Sequence, residues 1–176
     1  LERFHAHASS IASLPESSII LFDRQLDPLL STARPYGTPQ PPAVERTSAE
    51  RALSSGRVEL SDVFEGPHSG NRLVSVVLPT QDGRHLLRMT TTGQSLSERL
   101  VAAAEPPWTL TILDRNGVVA ARSREAQKFV GTMVSAEQLA LLRKEESGQL
   151  LGKRHDGRSG HAHFRRHASG WTVMAL

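Results

Sequence analysis

Cysteine is absent from the 176-residue chain, which excludes disulfides and thiolate chemistry. Aromatic residues make up only 5% of the chain, and Tyr36 is its single tyrosine. No apolar run approaches the roughly 18 residues that a membrane-spanning helix needs, since the longest, around 73–79, has the length of a strand. The chain opens inside a predicted helix, without an initiator methionine or a signal pattern, so we expect it to be part of a longer protein.

Signatures of nucleic-acid binding and of catalysis are missing as well. The formal net charge is +3, but the basic residues are scattered singly among acids, and the densest patches, "KRHDGR" and "HFRRH", lack a stacking aromatic platform. The chain contains no glycine-rich phosphate loop, nucleophile elbow or metalloprotease spacing. The composition, 38% hydrophobic and 22% charged, is that of an ordinary globular protein. We therefore predict a non-enzymatic chain without a nucleic-acid partner and without a cofactor.

One pattern occurs twice. "IILFDRQLDPLLST" and "LTILDRNGVVAARS" each place an apolar run before Asp-Arg, then a short polar turn and a second apolar run, with Asp23 and Asp114 separated by 91 residues. Asn116-Gly117 is a typical hairpin turn, and Asp27-Pro28 is a turn signal in the first copy. A repeat of this length indicates two copies of one small structural unit.

The segments after each hairpin also follow the same order, a helix and then three strands. Three pairs have the spacing of a capping box, which predicts helix starts: Thr47 with Glu50, Ser95 with Glu98, and Ser135 with Gln138. Gly56 stands where the first of these helices should end. The strands of the first copy are predicted over "RVELSDVF", "NRLVSVVLPT" and "RHLLRMTTT". Of these, "LVSVVL" is typical of a strand covered on both faces.

The predicted fold class is α+β, with two tandem modules that each contain an antiparallel five-stranded sheet and flanking helices. We predict an N-terminal helix at 1–14, because Leu1, Phe4, Ala8, Ile11 and Leu14 form one apolar stripe before Pro15. The other predicted boundaries are a first module at 15–94, a linking helix at 95–107 and a second module at 108–176.

This organisation resembles the double-Cache (tandem PDC, PAS-like) sensor domain of bacterial transmembrane receptors. The segments that carry the resemblance are "RPYGTP" and "LSDVFEGPHSGNRLVSVVLP" in the first copy, and "WTLTILDRNGVVAARSREAQKFVGTMVS" and "HASGWTVMAL" in the second. The resemblance covers nearly the whole chain. Many family members with amino-acid ligands carry a motif of Tyr, Arg, Trp, Tyr and Asp in the membrane-distal module. This chain departs from that motif, because both tryptophans (Trp108 and Trp171) lie in the second copy.

The resemblance implies a periplasmic or other extracytoplasmic sensor of an inner-membrane receptor, most simply a sensor histidine kinase whose catalytic part lies outside this chain. It implies membrane anchors on both sides, a homodimer in the full receptor, and a small-molecule ligand in the membrane-distal first module. Ligand binding would shift the conformation passed to the membrane helices. The alternatives are the sensor of a chemoreceptor or diguanylate cyclase, and a structural or protein-interaction module that binds no ligand.

Seven residues of the first module are candidate ligand-binding residues. Two lie in the stiff proline-containing loop, and two end a predicted strand with one parity. Ser75 and Arg88 interrupt otherwise apolar strands, where a polar group must find a partner or a ligand, and a threonine of the last predicted strand completes the set. They are Arg34, Tyr36, Asp62, Phe64, Ser75, Arg88 and Thr90. A guanidinium suits a carboxylate or phosphate, so Arg34 or Arg88 would favour an anionic ligand. Alternatively, Arg88 lies on an outer strand and Ser75 bonds locally.

The histidines form the other conspicuous set. His161, His163 and His167 share parity on one predicted strand, and His155 is the only further histidine nearby. A pair of this kind can hold a transition metal only with additional ligands, and no carboxylate has a supporting spacing. We therefore predict no metal site and interpret these residues as a solvated or partly buried strand face. Direct sensing of pH or metal through this strand is a third possible function.

Overall fold

The computed structural model describes residues 1–12, 17–67, 70–153 and 159–176. They form two compact units, Leu1–Thr92 (unit 1) and Gly93–Leu176 (unit 2). None of the described helices is long and apolar enough to cross a membrane.

Unit 1 is a sheet with two helices. In chain order its elements are α1 (Glu2–Ile11), β1 (Ser18–Phe22), β2 (Pro28–Ser31), α2 (Thr47–Ser55), β3 (Glu59–Leu60), β4 (Phe64–Glu65), β5 (Arg72–Pro79) and β6 (Leu86–Thr92). The strand order is β2-β1-β6-β5-β3, with β4 also paired to β5, and all pairs are antiparallel. The predicted N-terminal helix is present at Glu2–Ile11, whereas Leu14 and Pro15 lie outside the described residues.

Unit 2 repeats the plan. Its elements are α3 (Gly93–Ala103), β7 (Leu110–Leu113), β8 (Val119–Arg122), α4 (Ala126–Phe129), α5 (Ala136–Lys144), β9 (Ser147–Lys153), β10 (Ser159–Arg166) and β11 (Thr172–Ala175). The strand order β8-β7-β11-β10-β9 matches that of unit 1 once β3 and β4, which both pair with β5, are counted as one strand, and all pairs are again antiparallel. The predicted α+β class with two modules of one design is confirmed.

The two hairpins also agree in detail. In β1–β2 the Ile19 N–H donates to Thr32 Oγ1 at 2.9 Å, and in β7–β8 the Leu110 N–H donates to Ser123 Oγ at 2.9 Å. Both residues of the second pair lie 91 positions after those of the first. Each hairpin has a register shift at the matching place, after Leu21 in β1 and after Ile112 in β7. The sequence repeat is therefore a repeat of backbone geometry.

The first sheet has six strands within the described residues, so the prediction of five was wrong. The segment expected as one strand, "RVELSDVF", is split into β3 and β4 around Ser61. The Ser75 N–H donates to the Ser61 hydroxyl at 2.8 Å, while the Ser61 N–H donates to the Ser75 carbonyl at 2.9 Å. Because a side-chain oxygen takes the place of a backbone carbonyl, the ladder is interrupted there.

Strand β5 is covered on only part of its second face, contrary to the prediction. Val74 is 7% exposed, but Val76 and Leu78, on the same face, are 38% and 36% exposed. The core of unit 1 lies on the other face, where Ala49 and Ala52 of α2 pack against strand residues. The strand side chains in this cluster are Phe22, Val77 and Leu86, and the turn residue Leu26 joins them.

The observed helix ends agree only in part with those predicted from the sequence. Ser135 and Gln138 form the predicted capping box, with both hydrogen bonds at 3.2 Å, and Gly56 ends α2 in the left-handed conformation. The other two predicted boxes were wrong. Helix α3 begins at Gly93, so Ser95 is already inside it, and α2 is capped by Glu45, as described below. In unit 2, Leu142 of α5 packs on Leu150, Ala162 and Phe164 of the sheet.

Candidate functional site

A cavity of about 190 Å³ lies in unit 1, between one face of the sheet and the proline-rich segment that follows β2. A dry cavity of ~150 Å³ already accepts a benzene-sized molecule, so this one has room for a small ligand. The residues that line it are Ser18, Ile20, Phe22, Pro28, Ser31, Ala33, Arg34, Gln40, Pro41, Pro42, Ala43, Val44, Glu45, Phe64, Pro67, Leu73, Arg88 and Thr90.

The sheet wall of the cavity results from the two-residue period of β1 and β6. In their antiparallel register Ser18 lies opposite Thr90, and Ile20 lies opposite Arg88. Since alternate side chains of a strand point to the same face, these four side chains share the face that meets the cavity. The wall therefore presents hydroxyl groups near the start of β1 and a guanidinium next to an apolar side chain further along.

The opposite wall is the segment 40–45, which contains two consecutive prolines. Proline has a fixed φ and no N–H group, so this segment keeps its path without pairing to a strand. The loop before it is fastened by α1. The His5 Nε2–H donates to the carbonyl oxygens of Ser31 and Arg34, at 3.2 and 3.0 Å. A helix outside the cavity thus holds the loop that carries Arg34.

Arg88 is the deeply buried charge of the wall, with 3% of its surface exposed, and Glu45 is its partner. Its Nη2 donates to the Glu45 carbonyl oxygen at 2.7 Å and to Glu45 Oε2 at 3.0 Å. The guanidinium also lies over the Phe22 ring, 5.0 Å from its centroid. Burial lowers the pKa of Arg88, and the Glu45 carboxylate opposes that shift. Among the described residues, nothing accepts a hydrogen bond from the buried Arg88 Nε.

Glu45 also holds the start of α2. Its Oε1 accepts a hydrogen bond from the Ser48 N–H at 2.8 Å, and its Oε2 accepts one from the Ser48 hydroxyl at 2.6 Å. Thr47 is the first helical residue and not the cap, which explains why the predicted capping box does not form. One carboxylate therefore connects the cation of the cavity wall to the N-terminus of a helix.

Four of the seven residues predicted from the sequence line the cavity: Arg34, Phe64, Arg88 and Thr90. Arg88 does not lie on an outer strand, because β6 is paired on both sides. Arg34 is partly exposed, and its Nη1 donates to the Pro39 carbonyl at 3.4 Å. The structure thus brings two guanidinium groups and one carboxylate into the walls of one small cavity.

The other three predicted residues are not among those that line the cavity. Ser75 lies opposite Thr90 on the neighbouring strand β5, and the two hydroxyl oxygens are 3.0 Å apart in a buried hydrogen bond. Ser75 thus bonds locally. Tyr36 is 46% exposed and its ring lies 5.8 Å from that of His5. Asp62 is partly exposed and lies between β3 and β4.

Sequence reasoning missed Glu45, Gln40 and the small polar side chains of β1 and β2. Two signals could have found them. Ser18, Ile20 and Phe22 are spaced two apart, so they share one face of a strand, and Ser18 shows that this face is not purely apolar. The run "TPQPPAVE" between β2 and α2 is too stiff to be a featureless linker. The ion pair itself had no such signal, because Glu45 and Arg88 are far apart in the chain.

The histidine strand of unit 2 forms no cluster in the described structure. His161 and His163 are exposed on β10, His167 follows the strand, and His155 lies outside the described residues. Within the described ranges, no group of three or more His, Cys, Asp or Glu side chains is placed to hold a metal ion.

Solved structures with the same fold include receptor sensor domains. The extracellular domain of a protein described as a histidine kinase, rpHK1S-Z16, superimposes with a TM-score of 0.67 and 16% identity, over 98% of this chain and 75% of that one. The ligand-binding domain of the Campylobacter jejuni chemoreceptor Tlp3, in complex with L-valine, has a TM-score of 0.61 and 12% identity, over 97% and 68% of the two chains.

The ligand-binding domain of the Pseudomonas fluorescens chemoreceptor CtaA, in complex with L-isoleucine, gives a TM-score of 0.61 and 13% identity, over 94% and 70% of the two chains. No protein-family model and no curated protein sequence matches this chain. The chain therefore has the tandem-module fold of extracellular histidine-kinase sensor domains and chemoreceptor ligand-binding domains.

Proposed function

We propose that this chain is the extracytoplasmic sensor domain of a signal-transducing histidine kinase and that the cavity of unit 1 binds its ligand. The observation that supports this most is the cavity itself, with apolar walls on which Arg88 and Arg34 converge. Ligand sites are typically concave, mostly apolar, and contain a few convergent polar groups. A first module packed solid with apolar side chains would instead have favoured a structural or protein-interaction role.

The proposed ligand is a small molecule with one carboxylate or similar anionic group and an apolar body. Arg34 at the edge of the cavity and Arg88 at its wall supply the cations, while Ile20, Phe64 and Leu73 supply apolar contacts. The Glu45 carboxylate competes with such a ligand for Arg88. A ligand carboxylate thus either displaces Glu45 from Arg88 or binds at Arg34.

This competition suggests how binding changes conformation. If a ligand takes over Arg88, Glu45 loses its main ionic partner while it still caps α2 through Ser48. The segment 40–45 and the start of α2 then shift together relative to the sheet. A ligand that prefers the shifted arrangement a few hundred-fold supplies about 3 kcal/mol of bias, enough to switch a balanced equilibrium.

In this proposal residues 15–94 form the membrane-distal module, 95–107 the linking helix and 108–176 the membrane-proximal module. The complete receptor is a homodimer anchored in the inner membrane, with its kinase part outside this chain. The L-valine and L-isoleucine complexes of Tlp3 and CtaA support ligand binding as the role of this fold. The histidine-kinase assignment is supported by the extracellular domains rpHK1S-Z16, mmHK1S-Z3 and mmHK1S-Z2.

The test is a thermal-shift screen of this chain against organic acids, amino acids and amines, followed by calorimetric titration of any hit. A ligand at 100 times its Kd adds ~2.7 kcal/mol of stability, which raises Tm by several degrees. We expect Arg34→Ala and Phe64→Ala to weaken binding of a carboxylate hit. Arg84→Ala, which changes an exposed arginine away from the cavity, is the matched control.

Two results would contradict the proposal. One is that no compound in the panel raises Tm, which would make a protein-interaction module the better hypothesis. The other is a hit whose affinity is the same in Arg34→Ala and Phe64→Ala as in the unaltered chain.

A further inference from the structure

We propose a second ligand site, in unit 2, that binds a small zwitterion through Arg122 and the carboxylates of Glu98 and Glu125. These residues line a cleft of about 280 Å³ bounded by α3, the end of β8 and the start of α4. The cleft shares no residue with the cavity of unit 1, so this proposal stands independently of the one above.

The backbone around Arg122 is firmly held. The Ser97 hydroxyl donates to the Gly93 carbonyl at 2.6 Å and accepts from the Arg122 N–H at 3.0 Å, which ties α3 to β8. Ser97 is 1% exposed and Arg122 is 8% exposed. The cleft therefore has a rigid floor, as a site that positions a ligand requires.

The Arg122 guanidinium, in contrast, is short of acceptors. Its Nη1 donates to Thr111 Oγ1 at 3.1 Å, and its plane lies over the Phe129 ring, 4.4 Å from the centroid. Nε and Nη2 are buried and find no hydrogen-bond partner among the described residues. No described carboxylate lies within ion-pair distance of this guanidinium, whereas Arg88 in unit 1 has Glu45.

A buried guanidinium with two unused donor nitrogens is costly, because the energy of removing it from water is not recovered. Burial lowers the pKa of Arg122, and only the Glu125 carboxylate opposes this shift at a distance. An oxygen of a bound carboxylate is the acceptor that matches the guanidinium fork. The donors at the floor of the cleft thus favour the binding of an anionic group.

The walls of the cleft carry carboxylates and therefore favour a cationic group. Glu98 projects from α3 on the same stripe as Gln94 and Ser97, and Glu125 precedes α4. The Gln94 amide donates to Glu98 Oε1 at 3.5 Å, and within the described ranges the Glu125 carboxylate pairs with Lys128, at 3.8 Å on the surface. With one cation and two anions in its walls, the cleft repels a purely anionic ligand more than one that also carries an ammonium group.

The experiment uses three probes that differ only in their charged ends: 6-aminohexanoate, hexanoate and hexylammonium. Each is titrated calorimetrically into this chain, and the arginine Nε–H signals are followed by NMR. We expect saturable binding of 6-aminohexanoate, weakened at least about tenfold when the carboxylate is removed, since hydrogen bonds to a charged partner are the stronger ones. Removal of the ammonium should weaken binding about two- to fivefold, because exposed ion pairs contribute less.

Variants locate the site. Arg122→Lys should abolish binding of 6-aminohexanoate, and the Arg122 Nε–H resonance of the unaltered chain should move as the probe saturates. Should Arg122→Lys fail to fold, Glu98→Gln carries the test, because Glu98 is exposed and contributes little to packing. Glu98→Gln should reduce the preference for 6-aminohexanoate over hexanoate. Arg84→Ala, at an exposed arginine that lines neither site, should leave both affinities unchanged.

Three outcomes would overturn the proposal. They are no binding of 6-aminohexanoate, equal binding of hexanoate and 6-aminohexanoate, and binding that is lost in Arg34→Ala but kept in Glu98→Gln. The last outcome would assign the probe to unit 1, so failure here and failure of the proposed function give different patterns.

Discussion

Asp23 and Asp114 make the same two hydrogen bonds in the two units. Oδ1 of Asp23 accepts from the N–H groups of the residues two and four positions later, both at 2.9 Å. Oδ1 of Asp114 does the same, at 2.9 and 2.8 Å. The residue three positions later is left-handed in both turns, Leu26 with φ 65° and Gly117 with φ 77°. In the first copy the carboxylate of Asp23 closes the turn, and Pro28 begins the next strand.

We expect Asp114→Ala to destabilise the protein more than Asp23→Ala. Both changes remove the acceptor of two backbone N–H groups, but Asp114 is 3% exposed while Asp23 is only half-buried. A buried donor without a partner costs about 1–3 kcal/mol, whereas water can satisfy an accessible one. Urea unfolding of the two variants measures the difference. Equal losses of unfolding free energy would contradict this explanation.

Gly117→Ala should be strongly destabilising. Gly117 has a left-handed φ, and a Cβ there would lie 2.8 Å from Val134 Cγ2 and 3.0 Å from Leu139 Cδ1. Backbone strain of about 1–2 kcal/mol is added to this overlap, so we expect a loss of roughly 2–4 kcal/mol. Gly83→Ala is the matched control, since Gly83 has φ 65° but no atom near its Cβ. The prediction fails if thermal unfolding shows the same loss for both variants.

Glu45→Ala should cost about 3 kcal/mol of stability, because it leaves the Arg88 guanidinium buried without its carboxylate and removes the cap of α2. Glu65→Ala breaks a pair of similar length, with Arg72 at 2.9 Å, but both side chains are largely exposed. That change should cost no more than about 1 kcal/mol. Denaturant midpoints at constant m-value provide the comparison, and similar losses in the two variants would be inconsistent with a structural role for the buried pair.

The pKa of Asp82 is lowered from its ordinary value of 3.8, first by the hydrogen bond from the Thr80 hydroxyl and next by the Arg84 N–H. A carboxyl whose pKa is lower in the folded state stabilises it above the unfolded pKa, and this contribution disappears as the pH falls through the folded pKa. NMR titration of Asp82 should therefore show a pKa below 3.8 that rises in Thr80→Val. An identical titration curve in that variant would exclude Thr80 as the cause.

Much of the fold could be predicted because its determinants are local. The Asp-Arg repeat, the Asn116-Gly117 turn and the Ser135–Gln138 capping box each act over a few residues, so a short stretch of sequence is enough to recognise them. One prediction that failed depended on a distant partner, because Ser61 interrupts a strand only where Ser75 lies beside it. The failed capping box at α2 was instead a local error, since the cap comes from Glu45, just before the pair expected to form it.

The candidate sites also have some features that the sequence predicts and others that only the tertiary structure shows. The sequence alone determined two modules of one design, and a first module with Arg34 in a stiff loop and Arg88 on an otherwise apolar strand. Only the tertiary structure decided that Arg88 already has a carboxylate partner and that Arg122 has none among the residues the structure describes. The physical reason is that strand period and turn chemistry are local, whereas the state of a buried charge depends on which groups chain folding brings to it. The sequence shows only that a residue is arginine, and it does not show whether the guanidinium is paired or lacks an acceptor.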